Sequence, residues 1–180
     1  MRASQTAWQA PIRVRMGKYV GLRNYKNQVS KPNCQMAQLP ETIPGLLNFF
    51  NLEYHDLYLT CIFCNNLLTL DDCWHFEHAS LSVIWRQGWP YGCCVGCCIQ
   101  SAYLECLTFY EYSAEAEEVC DECESTLLEL GVRCYGCFAY LTFTEKLEQQ
   151  WNGELFHKVR GRWKGLCQHC RYAWAHTDFD

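Results

Sequence analysis

The sequence predicts an α+β fold in which two copies of a small metal-binding module are joined by a linker helix and preceded by a flexible basic arm. The first observation that predicts the modules is the number of cysteines. Fifteen cysteines occur in 180 residues and form five Cys-x-x-Cys pairs, where chance placement would give about one. Hydrophobic residues make up 49% of the chain, which excludes a disordered or collagen-like protein and favours packed cores.

The second observation is a repeat in the spacing of those pairs. Twenty-nine residues separate Cys64 from Cys94, and twenty-nine separate Cys137 from Cys167, so Cys-x2-Cys-x29-Cys-x2-Cys occurs twice with an offset of 73 residues. Four further identities share this offset: Leu68 with Leu141, Thr69 with Thr142, Gly88 with Gly161, and Gly92 with Gly165. The chain therefore contains an internal duplication of one small module.

Two cysteine pairs supply the four thiolates of a tetrahedral structural zinc site. A closed four-sulfur shell leaves no position for water, so these metals are expected to stabilise the fold and not to catalyse. The 29-residue gap exceeds the roughly 15 to 20 residues of a zinc ribbon and leaves room for a helix and a small sheet. The sequence predicts two Zn²⁺ ions and eight ligands: Cys61, Cys64, Cys94 and Cys97 for one ion, Cys134, Cys137, Cys167 and Cys170 for the other.

Other residues could compete for the metals. His75, His78, His157 or His169 could replace a thiolate, and Cys93 and Cys98 flank two predicted ligands, although the repeat selects Cys94 and Cys97. Cys120 and Cys123 form a fifth pair in an acidic run but have no partner pair at the module spacing. The other cysteines, Cys34, Cys73 and Cys106 included, are interpreted as small buried hydrophobes or free thiols.

The sequence indicates an intracellular protein whose cysteines are reduced. Residues 1–40 carry seven bases and no acid but lack the apolar block of a secretory signal. No apolar run reaches the roughly 18 to 20 residues of a membrane span, so neither secretion nor a membrane partner is expected. The odd number of cysteines also argues against a fully bridged disulfide scaffold.

Periodicity and charge suggest five segments: a basic, disordered arm (1–40), a first zinc module with its lead-in helix (41–98), a linker helix with an acidic helical segment (99–130), a second zinc module (131–172) and a tail (173–180). Helical periodicity runs from Ile43 to Leu59 and directly into Cys61. Residues 67–70 and 138–143 are predicted as short strands, and residues 81–85 fit either a strand or a helix turn. A helix follows Cys97, and residues 127–130 are predicted to be helical with Gly131 as the cap.

Charge is segregated along the chain. Residues 105–129 contain nine acids and no base, whereas the second module carries Lys158, Arg160, Arg162, Lys164 and Arg171. This basic patch, with Trp163 nearby, could bind nucleic acid, although the acidic balance makes that use secondary. Beside an apolar groove it could instead hold the acids of an amphipathic helix. An enzyme is not expected, because the chain lacks a nucleotide-binding glycine loop and a His-Glu-x-x-His motif.

These motifs together resemble one viral family. The two modules joined by 36 residues, Gly88-Trp89-Pro90-Tyr91, and the run Val159-Arg160-Gly161-Arg162-Trp163-Lys164-Gly165 are similar to papillomavirus early protein six over about residues 41–172. The resemblance implies a non-enzymatic viral oncoprotein of the host nucleus and cytoplasm that captures acidic Leu-x-x-Leu-Leu helices between its zinc modules. It would then redirect a host ubiquitin ligase against cellular regulators, or block a Notch-pathway coactivator or bind a focal-adhesion protein. The alternative hypothesis is a zinc-dependent nucleic-acid-binding transcriptional regulator.

The resemblance also implies which residues form the groove. Ile62, Leu81, Ile84 and Leu104 would form apolar wall, unless they are simply core, and Arg133 and Arg162 would meet the acids of the peptide. Three departures from the family pattern stand out: Thr108 replaces a basic groove residue of some members, the arm is unusually long, and the chain ends Ala-His-Thr-Asp-Phe-Asp. That ending lacks a terminal hydrophobic residue, so no PDZ-domain partner is expected; weak self-association is possible.

Overall fold

The computed structural model describes residues 39–176. The predictions for the arm before residue 39, for Cys34 and for the last four residues lie outside this range. The elements in chain order are α1 (Ile43–Phe50), β1 (Thr60–Cys61), α2 (Leu70–His78), β2 (Ile84–Arg86), β3 (Trp89–Gly92), α3 (Val95–Phe109), β4 (Tyr110–Ala114), α4 (Ala116–Cys123), β5 (Arg133–Cys134), α5 (Phe143–Trp151), β6 (Phe156–Val159), β7 (Arg162–Gly165) and α6 (Gln168–Ala175).

The lead-in helix α1 is shorter than its apolar periodicity predicted. Thr42 caps its start by accepting a hydrogen bond from the backbone N–H of Gly45 at 3.1 Å. Asn51 ends it in the left-handed conformation, with φ of 51°, which asparagine tolerates better than most residues. The prediction of a helix through to Leu59 was therefore wrong, and a single 3-10 turn (Tyr54–Asp56) follows instead.

The two modules repeat one topology, as the duplicated spacing predicted. In the first, β1 pairs in parallel with β3, and β3 pairs antiparallel with β2. In the second, β5 pairs in parallel with β7, and β7 antiparallel with β6. The registers Thr60 with Tyr91 and Arg133 with Lys164 differ by the same 73-residue offset. A helix and a small sheet therefore lie between the cysteine pairs of each module.

The predicted strands at residues 67–70 and 138–143 were wrong. In these segments Leu67 and Tyr140 each form one isolated bridge, after which the chain turns into a helix. Thr69 and Thr142 are the N-caps of α2 and α5, each in a capping box with the acid three residues later. A Thr-x-x-Asp/Glu signal thus outweighed the β-forming residues around it.

Gly92 and Gly165 occupy equivalent positions in the two modules, and each lets the end of its strand lie close to neighbouring side chains of the same module. A Cβ at Gly92 would lie 2.9 Å from side-chain atoms of Leu59 and Leu68, and one at Gly165 would lie 2.6 Å from the Gln149 side chain. Both contacts are shorter than van der Waals packing allows. A side chain at Gly92 or Gly165, the last residues of β3 and β7, would therefore have to displace the side chains packed against it.

The linker is continuous with both modules. Helix α3 begins after Cys94 and passes directly into β4, which forms the edge of a four-stranded sheet in the order β4-β6-β7-β5. The predicted linker helix is confirmed, and the acidic run is helical as α4. Residues 127–130, predicted as helix, form a turn in which Thr126 and Glu129 bond to each other. Residues 84–86, left open by the sequence, form β2.

A buried apolar cluster lies in the second module and includes Val132, Phe156 and Trp163, with Ala79 of the first module packed into it. The two modules therefore share a core at their contact. Within residues 39–176, no helix has both the length and the apolar character needed to cross a bilayer.

Candidate metal centres and intermodule groove

The first cysteine group joins a strand and turn to the start of the linker helix. Cys61 ends β1, Cys64 lies in the turn after it, and Cys94 and Cys97 lie at the N-terminus of α3. Their four sulfur atoms lie within 4.8 Å of one another, with 3.8 Å between Cys64 Sγ and Cys94 Sγ. The fold thus brings together the four ligands predicted for the first metal.

The second group repeats this arrangement with Cys134, Cys137, Cys167 and Cys170, again with all sulfurs within 4.8 Å of one another. Cys137 Sγ and Cys167 Sγ are 3.7 Å apart. The backbone N–H groups of Gly136 and Cys167 donate to Cys134 Sγ at 3.2 and 3.4 Å, and such bonds orient a thiolate. The second predicted ligand set is therefore also assembled.

Both groups fit zinc. Tetrahedral bonds of about 2.3 Å to four sulfurs separate the sulfurs by about 3.8 Å, close to the two distances above. Burial opposes ionisation of the Cys61 thiol, but hydrogen bonds from the backbone of Cys64 and Cys94 outweigh it and lower its pKa to about 7. Hydrogen bonds from Cys137 and Cys167 lower the pKa of Cys134. Four cysteine sulfurs at these separations form the shell of a structural zinc site, and the protein has two such groups.

The two sites differ in exposure. All four cysteines of the second group are buried, whereas in the first Cys64 is exposed and Cys94 and Cys97 are partly exposed. Among the described residues, no further group of three or more potential ligands occurs. Burial raises the pKa of the Cys73 thiol to about 11, as expected of a cysteine that serves as a small core residue.

The capping acids also connect each module helix to the helix that carries the metal ligands. Asp72 uses one carboxylate oxygen for the cap and accepts a bond from Val95 N–H with the other at 2.8 Å. Glu145 does the same with Gln168 N–H, again at 2.8 Å. Burial opposes ionisation of Asp72, but bonds from Val95 and Thr69 outweigh it and lower the pKa of that carboxyl. These two acids fix α3 and α6 against α2 and α5.

A cavity of about 570 Å³ lies between the modules and is called the intermodule groove here. Leu81 of the first module, Glu105 of α3 and several residues of the second module line it. Its lining combines apolar and cationic side chains with one acid, Glu105; the lining residues are Leu81, Glu105, Gly131, Arg133, Phe138, Tyr140, Arg160, Arg162, Trp163 and Lys164.

Three of the six predicted groove residues line this cavity, namely Leu81, Arg133 and Arg162. The other three do not. Ile62 is 9% exposed within the first cysteine pair, while Ile84 and Leu104 are 47% and 59% exposed on β2 and α3. A part for Ile62, Ile84 and Leu104 in ligand binding stays a prediction.

Arg133 connects the modules. Its guanidinium donates to the carbonyl oxygens of Ala79 at 2.5 Å, Phe138 at 2.7 Å and Ser80 at 3.3 Å, and it stacks on Tyr140 at 3.9 Å. Buried His75 of α2 adds a further bond between the modules, from Nε2 to the carbonyl oxygen of Cys137 at 3.1 Å. The relative position of the two groove walls therefore depends on hydrogen bonds as well as on the shared core.

The predicted groove residues did not include Glu105, Phe138, Tyr140, Arg160, Trp163 or Lys164, although Arg160 and Lys164 belong to the basic patch that was expected beside an apolar groove. A signal for Lys164 was available, because it lies two residues after the predicted Arg162 on one strand and so shares a face of the sheet with it. Phe138 carried no comparable signal. It adopts a positive φ of 67°, which nothing in its side chain predicts.

The sequence places this chain among named viral proteins. The profile of the family described as Early Protein (E6) matches residues 61–170. Protein E6 of human papillomavirus 14 is 37% identical over 134 residues, which make up 74% of this chain and 78% of that protein. Protein E6 of human papillomavirus 25 is 36% identical over 152 residues, covering 83% of this chain and 94% of that protein.

Among solved structures, the C-terminal zinc-binding domain of HPV51 oncoprotein E6 aligns at 25% identity with a TM-score of 0.34, covering 37% of this chain and 88% of that one. The sequence matches are longer, and they include both cysteine groups. The chain therefore belongs to the papillomavirus early protein E6 family.

Proposed function

We propose that this protein is a non-enzymatic adaptor that captures acidic Leu-x-x-Leu-Leu helices of host proteins in the intermodule groove. The observation that carries the proposal is the lining of the groove, where Leu81, Phe138 and Tyr140 lie near two exposed arginines, Arg160 and Arg162. An amphipathic helix needs apolar surface for its leucines, and arginine binds carboxylates with two parallel hydrogen bonds.

Nucleic acid is a less favourable ligand for the basic patch. Lys158, Lys164 and Arg171 each form an ion pair with a glutamate of the same chain, Glu122, Glu105 and Glu154 respectively. Among residues 39–176, this leaves Arg160 and Arg162 as the cations of the patch without an ion pair. Two free charges would provide a weak phosphate-binding surface.

The experiment is a binding titration of the full zinc-loaded chain with a synthetic acidic Leu-x-x-Leu-Leu peptide. We expect Leu81→Ala and Arg162→Glu to weaken binding roughly tenfold or more, because each removes a complementary contact. Arg86→Glu is the matched control, since Arg86 is exposed on β2 and does not line the groove. Metal analysis should give two zinc ions per chain in every variant. Equal affinities for Arg162→Glu and Arg86→Glu would reject the proposal.

The consequence of capture depends on which host protein carries the helix. A pulldown from host-cell extract with the zinc-loaded protein, compared with Arg162→Glu, would separate two outcomes. Loss of a ubiquitin ligase on mutation would indicate redirected degradation of cellular regulators. Loss of a transcriptional coactivator would indicate blockade of signalling without degradation. Host nucleus and cytoplasm are the compartments in which such partners act.

A further inference from the structure

We infer that the Glu105–Lys164 ion pair divides the intermodule groove into an end that accepts acids and a wall that rejects them, so that its ligand is a helix with acids at one end. The inference rests on the proposed function and specifies the charge pattern of the ligand. It makes Glu105 a specificity-determining residue of the groove.

The ion pair with Glu105 makes Lys164 unavailable to the acids of a ligand. Lys164 Nζ lies 2.8 Å from Glu105 Oε2, and the two side chains are 5% and 23% exposed. The ammonium group also lies 4.9 Å from the centre of the Phe138 ring. A buried ammonium requires a partner of opposite charge, and Glu105 provides it. Lys164 is therefore already neutralised before any ligand arrives.

Arg133 is also engaged within the protein and is not one of the arginines that bind the acids of the ligand. Its guanidinium is held by the carbonyl oxygens of Ala79, Phe138 and Ser80. These carbonyl oxygens leave its net charge in place but use three of its five N–H donors, including both on Nη1. Of the four cationic side chains that line the groove, Arg133 and Lys164 thus serve the fold, and Arg160 and Arg162 remain.

The two remaining arginines lie together at the β6–β7 turn, on either side of Gly161. The turn is held by a bond from Gly161 N–H to Glu111 Oε1 at 2.5 Å and by a bond from Arg160 N–H to the carbonyl oxygen of Phe109 at 3.0 Å. Both arginine side chains are exposed. This turn is the end of the groove that accepts acids.

The distance between Arg162 and Lys164 along β7 determines where the ligand can carry its acids. Arg162 and Lys164 are two residues apart, or about 6.6 Å along a strand, which is close to the 5.4 Å pitch of a bound helix. For a helix that lies along β7, moving an acid of the ligand by about one turn would therefore carry it from Arg162 towards Glu105. There it would meet the carboxylate of Glu105, which is the more exposed partner of the ion pair (23% against 5% for Lys164), and this like charge opposes binding.

The test uses the full zinc-loaded chain and two isomeric peptides that share one Leu-x-x-Leu-Leu core and carry two glutamates either before it or after it. We expect the wild type to prefer one isomer by about tenfold. Glu105→Gln should reduce this preference to about threefold or less by strengthening the weaker isomer. Glu154→Gln is the matched control, because it breaks the ion pair with Arg171, which does not line the groove, and it should leave the preference unchanged.

A second variant protects the test against misfolding. Because Glu105→Gln leaves a buried ammonium unpaired, the double variant Glu105→Gln with Lys164→Gln removes both charges and should also reduce the preference while two zinc ions are retained. A preference that persists in both variants, or a wild type that binds both isomers equally, overturns the inference and leaves the proposed function standing. Failure of both isomers to bind the wild type overturns both proposals.

Discussion

The two zinc modules have the same topology and the same ligand spacing, but their metal sites differ in shielding. In the second module all four ligands are buried, whereas in the first Cys64 is exposed and Cys94 and Cys97 are partly so. The second module gains β4 as a further strand and receives Ala79 of the first module in its core. Duplication therefore determines the geometry of both sites, while the linker and the contact between modules determine which site is shielded.

The largest effect on stability is expected when one zinc ligand is replaced in each module, and this replacement tests the comparison directly. Cys134→Ser should release its zinc and unfold the second module, at a cost on the order of 5 kcal/mol, because a fully buried site cannot admit water in place of the lost sulfur. Cys64→Ser should cost less, since water can reach the vacated position. Zinc content and urea unfolding would measure both effects. Equal losses would show that exposure does not distinguish the sites.

Arg133 differs from its counterpart in the first module, which is Thr60. Arg133→Met should destabilise the protein by roughly 2 to 4 kcal/mol, because three carbonyl oxygens lose a charged donor. Thr60→Val should cost less than about 1 kcal/mol. Thermal unfolding of the two variants provides the comparison. A change of similar size in both would mean that Arg133 does not hold the modules together.

The capping acids Asp72 and Glu145 are expected to contribute equally to the stability of their two modules. Asp72→Ala and Glu145→Ala each remove an N-cap bond and the bond to the following ligand helix, so each should cost about 1 to 2 kcal/mol. Asp72→Asn and Glu145→Gln keep the shape and should lose less. Urea unfolding of the four variants would measure these costs. A much larger cost in one module would show that the two acids have different roles.

The smallest expected effect concerns His157, which has no histidine counterpart in the first module. Burial lowers its pKa below the ordinary value, and its Nδ1 lies 2.7 Å from Ser113 Oγ. The unfolded chain binds the proton more readily than the folded one, so this group's contribution is present above about pH 6.5 and is lost as the pH falls through the folded pKa.

We therefore expect wild type to lose more stability than His157→Gln between pH 7.5 and pH 5.5, with a difference in Tm of about 2 °C or less. Thermal melts at both pH values would measure it, and metal analysis would exclude zinc loss as the cause. Parallel losses in the two proteins would contradict the role of His157.

The sequence predicted the parts of the fold that depend on spacing. The cysteine repeat identified both ligand groups and the duplicated topology, because four thiolates around one ion impose a fixed geometry whatever lies between them. The apolar patterns were less informative. They predicted that α1 continues past Asn51, and that strands lie where Thr69 and Thr142 begin helices. A capping residue or a residue in the left-handed conformation starts or ends a helix, but it leaves the apolar periodicity of the surrounding sequence unaltered.

Half of the predicted groove residues line the cavity, for a related reason. Leu81, Arg133 and Arg162 lie where the modules meet, and the family resemblance carried that information. The pairing of Lys164 with Glu105 joins residues 59 positions apart and depends on how α3 packs against β7. Charge along the sequence could not reveal that two opposite charges of the groove neutralise each other.

The direct passage of α3 into β4 makes the groove sensitive to the length of the linker. Helix α3 starts among the first zinc ligands and ends in the sheet of the second module, with no loop to absorb a change. One inserted residue would rotate one module against the other by about 100° and shift it by about 1.5 Å, which would separate Leu81 from Arg162. An insertion of four residues would nearly restore the rotation but lengthen the helix by about 6 Å. The groove therefore tolerates substitutions along α3 better than insertions or deletions.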